Sequence, residues 1–160
     1  MQYFSLRKLR AIGQFQLRRV ACAESAAEEL QRAVTEAGGK AVKLAVSGAC
    51  HCPFMDAASG SAAQYLMRQP LGSLKIPLYA NVTANVYDNP KELLAKHINH
   101  PVLWQKTIEN MVSDGFGTFI EVGPGKTLSG LIKKINADVH VYSVSDIESL
   151  ENTVEELRNV

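Results

Sequence analysis

No acidic residue precedes Glu24, although Arg7, Lys8, Arg10, Arg18 and Arg19 all do. An acid-free, arginine-bearing start has the look of an organellar transit peptide. Such peptides are usually serine-rich as well, so a divergent or truncated start is the better account. Equally absent is any apolar run approaching the ~20 residues needed to span a bilayer, which predicts a soluble protein with no membrane partner. Cysteine is scarce and odd in number, three in 160 residues. That argues against a disulfide framework and points to a reducing, cytoplasmic setting. A net charge of +1 provides no global attraction for nucleic acid. Nor does the chain contain G-x-S-x-G, the usual strand-to-helix nucleophile elbow. Ser61 follows Gly60 inside a helix-forming AASGSAAQ stretch, and Ser129 has Thr127 where the pattern needs glycine.

What is present is ordinary globular material, 46% hydrophobic and 21% charged, without repeats or low-complexity tracts. Residues 24–37 read as a helix rich in Ala, Glu, Leu and Gln, with Ala27, Leu30 and Val34 on one face. Gly38 and Gly39 end it. AVKLAV (41–46) reads as a strand, SGACHCPF (47–54) as a turn-like segment, and 55–68 as a second helix. IPLYANV (76–82) is a short strand with Pro77 at its start or on an edge. Pro90 and Pro101 open helices at 91–97 and 102–113. TFIEV (118–122), a helix at 127–135, VHVYSV (139–144) and a helix at 146–158 complete the chain. Such alternation predicts an α/β protein with a parallel sheet.

Two clusters invite chemistry. Cys50, His51 and Cys52 are adjacent, which suits zinc poorly, because structural sites space their cysteines two to four residues apart. His97 and His100 would have to complete such a site, and no metal is expected. Sequence neighbours on an extended segment point oppositely, so His51 is badly placed to activate either thiol. The cysteines read as small buried packing residues. The histidine differs, because it follows a strand's C-terminal end, where open α/β sheets place their chemistry. The second cluster, EVGPGKT at 121–127, mimics the end of a phosphate-binding loop with Gly125, Lys126 and Thr127. Ile120 stands where that loop's first glycine belongs, so a tight strand-to-helix turn is the plainer reading.

Three segments, in order and correctly spaced, resemble one family. AVSGACHCPFM (45–55) resembles A-V-S-G-A-F-H-S-P-L-M, KHINHPVLWQKTIENM (96–111) resembles R-Q-x-x-x-P-V-x-W, and FIEVGPGKTLSGLIKKI (119–135) resembles E-V-G-P-G-K-x-L-x-G-L. These are motifs of the malonyl, more broadly acyl, transferases of fatty-acid and polyketide synthesis, and the resemblance covers about residues 22–158. It implies an α/β-hydrolase-like domain with an inserted ferredoxin-like subdomain. Residues 1–19 are then unmatched, 20–46 are the latter part of the insert, and 47–160 return to the large subdomain. The chain would be roughly the C-terminal half of a ~300-residue enzyme, a size that suits a two-part α/β fold.

The resemblance also implies a ping-pong reaction, with coenzyme A thioester as substrate and no cofactor. A serine takes malonyl from malonyl-CoA and yields it to the phosphopantetheine thiol of acyl carrier protein. A histidine moves the protons, a job suited to imidazole because it changes charge near neutral pH. His51 matches that base. His97 stands where the family has a glutamine whose backbone carbonyl orients the histidine. Lys40, Lys126 and Thr127 match positions that contact or border coenzyme A. Cys50 replaces a usual aromatic or small residue, and the window GACH leans towards malonyl selectivity. The family's oxyanion segment, its G-H-S-L-G elbow and its carboxylate-binding arginine have no counterpart. The expected N-Y-N-x-P-G-Q is reduced to Gly13 and Gln14. This chain alone is therefore expected to be inactive. One rival is a non-catalytic module gripping acyl carrier protein through Lys126, Lys133 and Lys134. Another is a polyketide acyltransferase, and a third is a hydrolase using Cys52.

Overall fold

The computed structural model describes residues 2–9, 15–45 and 50–158 and divides the chain into two units. Residues 1–71 and 89–101 form the first, and residues 72–88 and 102–160 the second.

In the first unit, β1 (Gln2–Leu9) pairs antiparallel with β2 (Phe15–Cys22) on one side and β3 (Gly39–Lys43) on the other. The sequence pattern did not announce β1 and β2, because RKL and LRRV interrupt the period-two alternation of a half-buried strand. Gly13 and Gln14 lie outside the described residues. Between β2 and β3 runs α1 (Ala27–Glu36), entered through a 3-10 turn at Glu24–Ala26. Its half-buried residues include Ala27, Leu30 and Val34, the face predicted from their spacing. Gly38 ends α1 with φ +72°, a left-handed value that only glycine adopts at no cost.

β3 ends at Lys43, short of the predicted strand end, and residues 46–49 lie outside the described residues. After His51 a 3-10 turn at Pro53–Met55 leads into α2 (Asp56–Met67). α3 (Pro90–Lys96) packs against α2. Its start combines a first-turn proline with Asn89, whose side chain accepts from the Glu92 N–H.

The second unit opens with β4 (Tyr79–Ala80), much shorter than the predicted 76–82, paired antiparallel with β5 (Asn85–Val86). The chain reverses at once because Ala84 is left-handed, φ +59°, and its N–H returns to the Ala80 carbonyl at 2.7 Å. α4 (Trp104–Ser113) begins two residues later than predicted, since the Leu103 N–H is taken by the Asn81 carbonyl at 2.8 Å. β6 (Thr118–Val122), α5 (Thr127–Ile135), β7 (His140–Val144) and α6 (Ile147–Arg158) follow. β6 and β7 pair in parallel, so the expected parallel arrangement holds here, whereas β3 runs antiparallel to β1, and β4 to β5. Ile108, Phe119, Ile132 and Val139 form the core of this unit, with Trp104, Met111 and Ile135 packed around them. Among the described residues no helix is long and apolar enough to cross a membrane.

Candidate active site

His51 is half-buried and held by two consecutive carbonyls from the turn that ends α3. Its backbone N–H donates to the Ile98 carbonyl at 2.9 Å. Its ring Nδ1 lies 2.8 Å from the His97 carbonyl oxygen. A carbonyl can only accept, so Nδ1 carries the proton. In the neutral ring the lone pair is then on Nε2, which leaves one defined proton acceptor. The backbone of His51 is itself left-handed, with φ +62°. For a residue with a Cβ this conformation costs about 1–2 kcal/mol, which the two hydrogen bonds help to offset. The ring is thus aimed by strained backbone and a turn distant in sequence, and such strain clusters where a side chain must be held for a task.

The turn that supplies these carbonyls is well made. His97 N–H donates to the Leu93 carbonyl at 3.0 Å, Ile98 N–H to Ala95 at 3.2 Å, and Asn99 and His100 to Lys96 at 3.2 and 3.0 Å. The side chain of His97 is half-buried. Burial first, and the neighbouring His51 second, hold its pKa below the ordinary value of 6.5. Its imidazole is therefore neutral at physiological pH.

Cys50 is exposed and Cys52 half-buried, so the expected packing role fails for Cys50. Cys50 stands in a turn, directly before the left-handed His51, and not in a packed strand or helix. Gly48 and Ala49, the start of the GACH window, lie outside the described residues. Among the described residues no group of three or more His, Cys, Asp or Glu side chains converges to hold a metal.

The other candidate residues belong to other elements. Lys40 is exposed on β3, opposite Arg7 in the strand register. Lys126 and Thr127 belong to the second unit, at the N-terminus of α5, and both are exposed. Their turn is organised by Glu121 at the end of β6. Its carboxylate accepts from Leu128 N–H at 3.1 Å, Ser129 N–H at 2.8 Å and Ser129 Oγ at 2.5 Å. The Ser129 hydroxyl, then its N–H, depress the Glu121 pKa below its ordinary 4.5. Gly123 and Gly125 have φ of +139° and +94°, which accounts for both glycines of the motif. A carboxylate already occupies the helix N-terminus, so the resemblance to a phosphate loop ends at the sequence. Lys133, a candidate for meeting an acidic partner, turns its ammonium onto the Ala137 and Val139 carbonyls at 3.1 and 2.6 Å.

No family model matches the chain. Individual relatives do. It is 37% identical over 141 residues to the malonyl CoA-acyl carrier protein transacylase of Haemophilus influenzae, covering 86% of this chain and 45% of that protein. The chain belongs to the malonyl CoA-acyl carrier protein transacylase family. The solved transacylase of Clostridium perfringens superposes with a TM-score of 0.87 at 31% identity, covering 99% of this chain and 57% of that one. A malonyl-transacylase solved in complex with a type II polyketide-synthase acyl-carrier protein gives 0.85 at 27% identity, covering 97% and 58%. The chain thus spans about half the length of the relatives it matches, and its α/β fold is that of these transacylases over the shared length.

Ile98, whose carbonyl holds the His51 backbone, was not legible in the sequence, because any residue presents a carbonyl. The capping role of Glu121 did have a signal. It is a carboxylate at a strand end, seven and eight residues before the helical N–H groups that it accepts from.

Proposed function

We propose that this chain carries the general-base part of a malonyl-CoA:acyl-carrier-protein malonyltransferase of fatty-acid biosynthesis, and corresponds to the C-terminal part of that enzyme. The observation that carries the reading is the His51 ring, its Nδ1–H committed to the His97 carbonyl and its Nε2 left to accept a proton. In the proposed reaction Nε2 takes the proton of a serine hydroxyl as the serine oxygen attacks the malonyl thioester. The tetrahedral adduct collapses to a serine ester, and Nε2–H protonates the departing coenzyme A thiolate. The thiol of acyl carrier protein then attacks the ester, giving its proton to Nε2 and regenerating the serine hydroxyl. No resident cofactor is required by these steps.

Lys40, Lys126 and Thr127 are proposed as coenzyme A contacts, on the strength of motif position and exposure. The antiparallel pairing of β3 in the β2-β1-β3 sheet, with α1 against β3, supports reading residues 20–46 as the latter part of a ferredoxin-like insert, with 47–160 in the large subdomain. Acyl carrier protein is the proposed partner, in the cytoplasm, with neither nucleic acid nor membrane involved. The purely binding rival loses one of its three cations, since Lys133 is committed to backbone carbonyls.

The nucleophile must come from outside these 160 residues, because they contain no G-x-S-x-G. Loss of oxyanion donors alone costs about 100–1,000-fold. The 160-residue chain should therefore show no transfer of radiolabelled malonyl from coenzyme A to carrier protein. Adding a polypeptide that bears the G-H-S-x-G region should restore it, and His51→Ala should cut the restored activity at least about 100-fold. Transfer undiminished by His51→Ala would refute the reading.

A further inference from the structure

Mid-helix serines and threonines normally bond the carbonyl four residues back on their own helix. Thr35, Ser61, Thr107 and Ser113 all do so, reaching Gln31, Ala57, Leu103 and Glu109 at 3.1 Å or less. Ser59 does not. It is 8% exposed, and its hydroxyl leaves α2 to donate to the Ala95 carbonyl of α3 at 2.9 Å. That carbonyl already accepts the Ile98 N–H, so the hydroxyl is not needed to satisfy an orphaned group. What it adds is a tie between α2 and the last turn of α3.

A second tie joins the same two pieces. The Asn99 side-chain amide donates to the Asp56 carboxylate at 2.8 Å, in the first turn of α2. That contact fixes the amide orientation, because only the NH2 can donate to a carboxylate. The Asn99 carbonyl oxygen is then free to accept from His100 Nδ1, 2.7 Å away. The turn that presents the His97 and Ile98 carbonyls is thus gripped through Ala95, just before it, and through Asn99, just after. Both grips come from the helix that follows His51 directly in sequence.

We propose that Ser59 and the Asp56–Asn99 pair are positioning residues for His51, holding its two acceptor carbonyls in register with the segment that carries it. This rests on the reading of His51 as the base. By tying both partners to α2, the structure makes the His51 ring and its acceptors move together, so thermal motion does not open the Nδ1–H bond. Loosening either tie should let Nδ1 and Nε2 share the proton.

The test is the ring-nitrogen NMR spectrum of the 15N-labelled 160-residue chain, which reports the tautomer ratio of His51 without any need for activity. The Nδ1–H form should dominate in the wild type. Ser59→Ala and Asn99→Leu should each cut the Nδ1–H to Nε2–H ratio at least about fivefold, the net worth of one hydrogen bond. Ser59→Thr, which keeps the hydroxyl, should restore it. In transferase reconstituted with the serine-bearing part, the two damaging variants should lower kcat by up to about a hundredfold and leave the KM for malonyl-CoA within about twofold. Variants that melt like wild type with an unmoved tautomer ratio would overturn the proposal. Should Ser59→Ala fail to fold, Asn99→Leu, in a turn between helices, decides on the same criterion. A moved ratio with transfer indifferent to His51 would sink the functional reading and leave the positioning intact. Transfer that needs His51 with an unmoved ratio would do the reverse.

Discussion

Of the turns that lead into a helix, the one before α5 and the one carrying His51 are organised by opposite means. The turn before α5 is closed from within: Glu121, seven and eight residues upstream, captures the Leu128 and Ser129 donors. The turn carrying His51 is closed from outside, by carbonyls 46 and 47 residues further along the chain. The first turn is a self-contained structural device. The second has its geometry set by another element, which is the arrangement needed when a side chain must be aimed rather than merely accommodated.

The sharpest way to break this comparison is at the aimed side chain. In reconstituted transferase His51→Ala should reduce transfer by about 100- to 10,000-fold, the usual range for a general base, measured under single-turnover conditions. A smaller loss would mean that the ring is held but not used.

Next in size is the cost of forcing a side chain onto the self-contained turn. Gly123 and Gly125 have positive φ, and a Cβ at either would find open space for 4 Å around it, so alanine there meets backbone strain alone. Each Gly→Ala change should destabilise the chain by about 1–3 kcal/mol in urea unfolding. A neutral result at either would show that the turn relaxes.

At His51 the same physics runs in the other direction. His51→Gly should be more stable than His51→Ala by about 1 kcal/mol, because glycine removes the left-handed penalty while both lose the imidazole. Equal melting of the two variants would mean that the strain is absent in solution.

The smallest expected effect is a difference in pH response. His97 has a lowered pKa in the folded chain, so the unfolded chain binds protons first as pH drops below 6.5, and stability in that turn declines from there. Glu121 is also depressed, but its contribution persists above its ordinary 4.5 and is lost only as pH falls below that and through its folded value. On acidification, amide protection factors, taken relative to the intrinsic exchange rate at each pH, should therefore fall at His51 and Ile98 before they do at Leu128 and Ser129. Simultaneous loss of protection would show that the two turns open together.

How legible each turn was follows from the same contrast. TFIEV and the helix at 127–135 have the bounds read from the sequence, because alternation, glycines and the capping carboxylate all lie within a few residues. Around His51 the sequence supplied identity but not geometry. A family motif marked the histidine, while its left-handed backbone and the Ile98 acceptor depend on a turn 47 residues further along. β4 shrank for a related reason, since the reversal at Ala84 is made by a non-glycine residue that no turn pattern flags. Arg18 and Arg19, adjacent and alike, hid β2 from a search for alternation.

Glu121 also bears on how β6 and β7 align. In their ladder it pairs with Ser143, and Ser129 Oγ of α5 meets both, 2.5 Å from Glu121 and 2.7 Å from Ser143 Oγ. A slip of either strand by one residue would send its partner to the opposite face of the sheet and leave Ser129 with half its contacts. The three side chains act as a lock and key for strand alignment, accepting the parallel pair in one register and rejecting its neighbours.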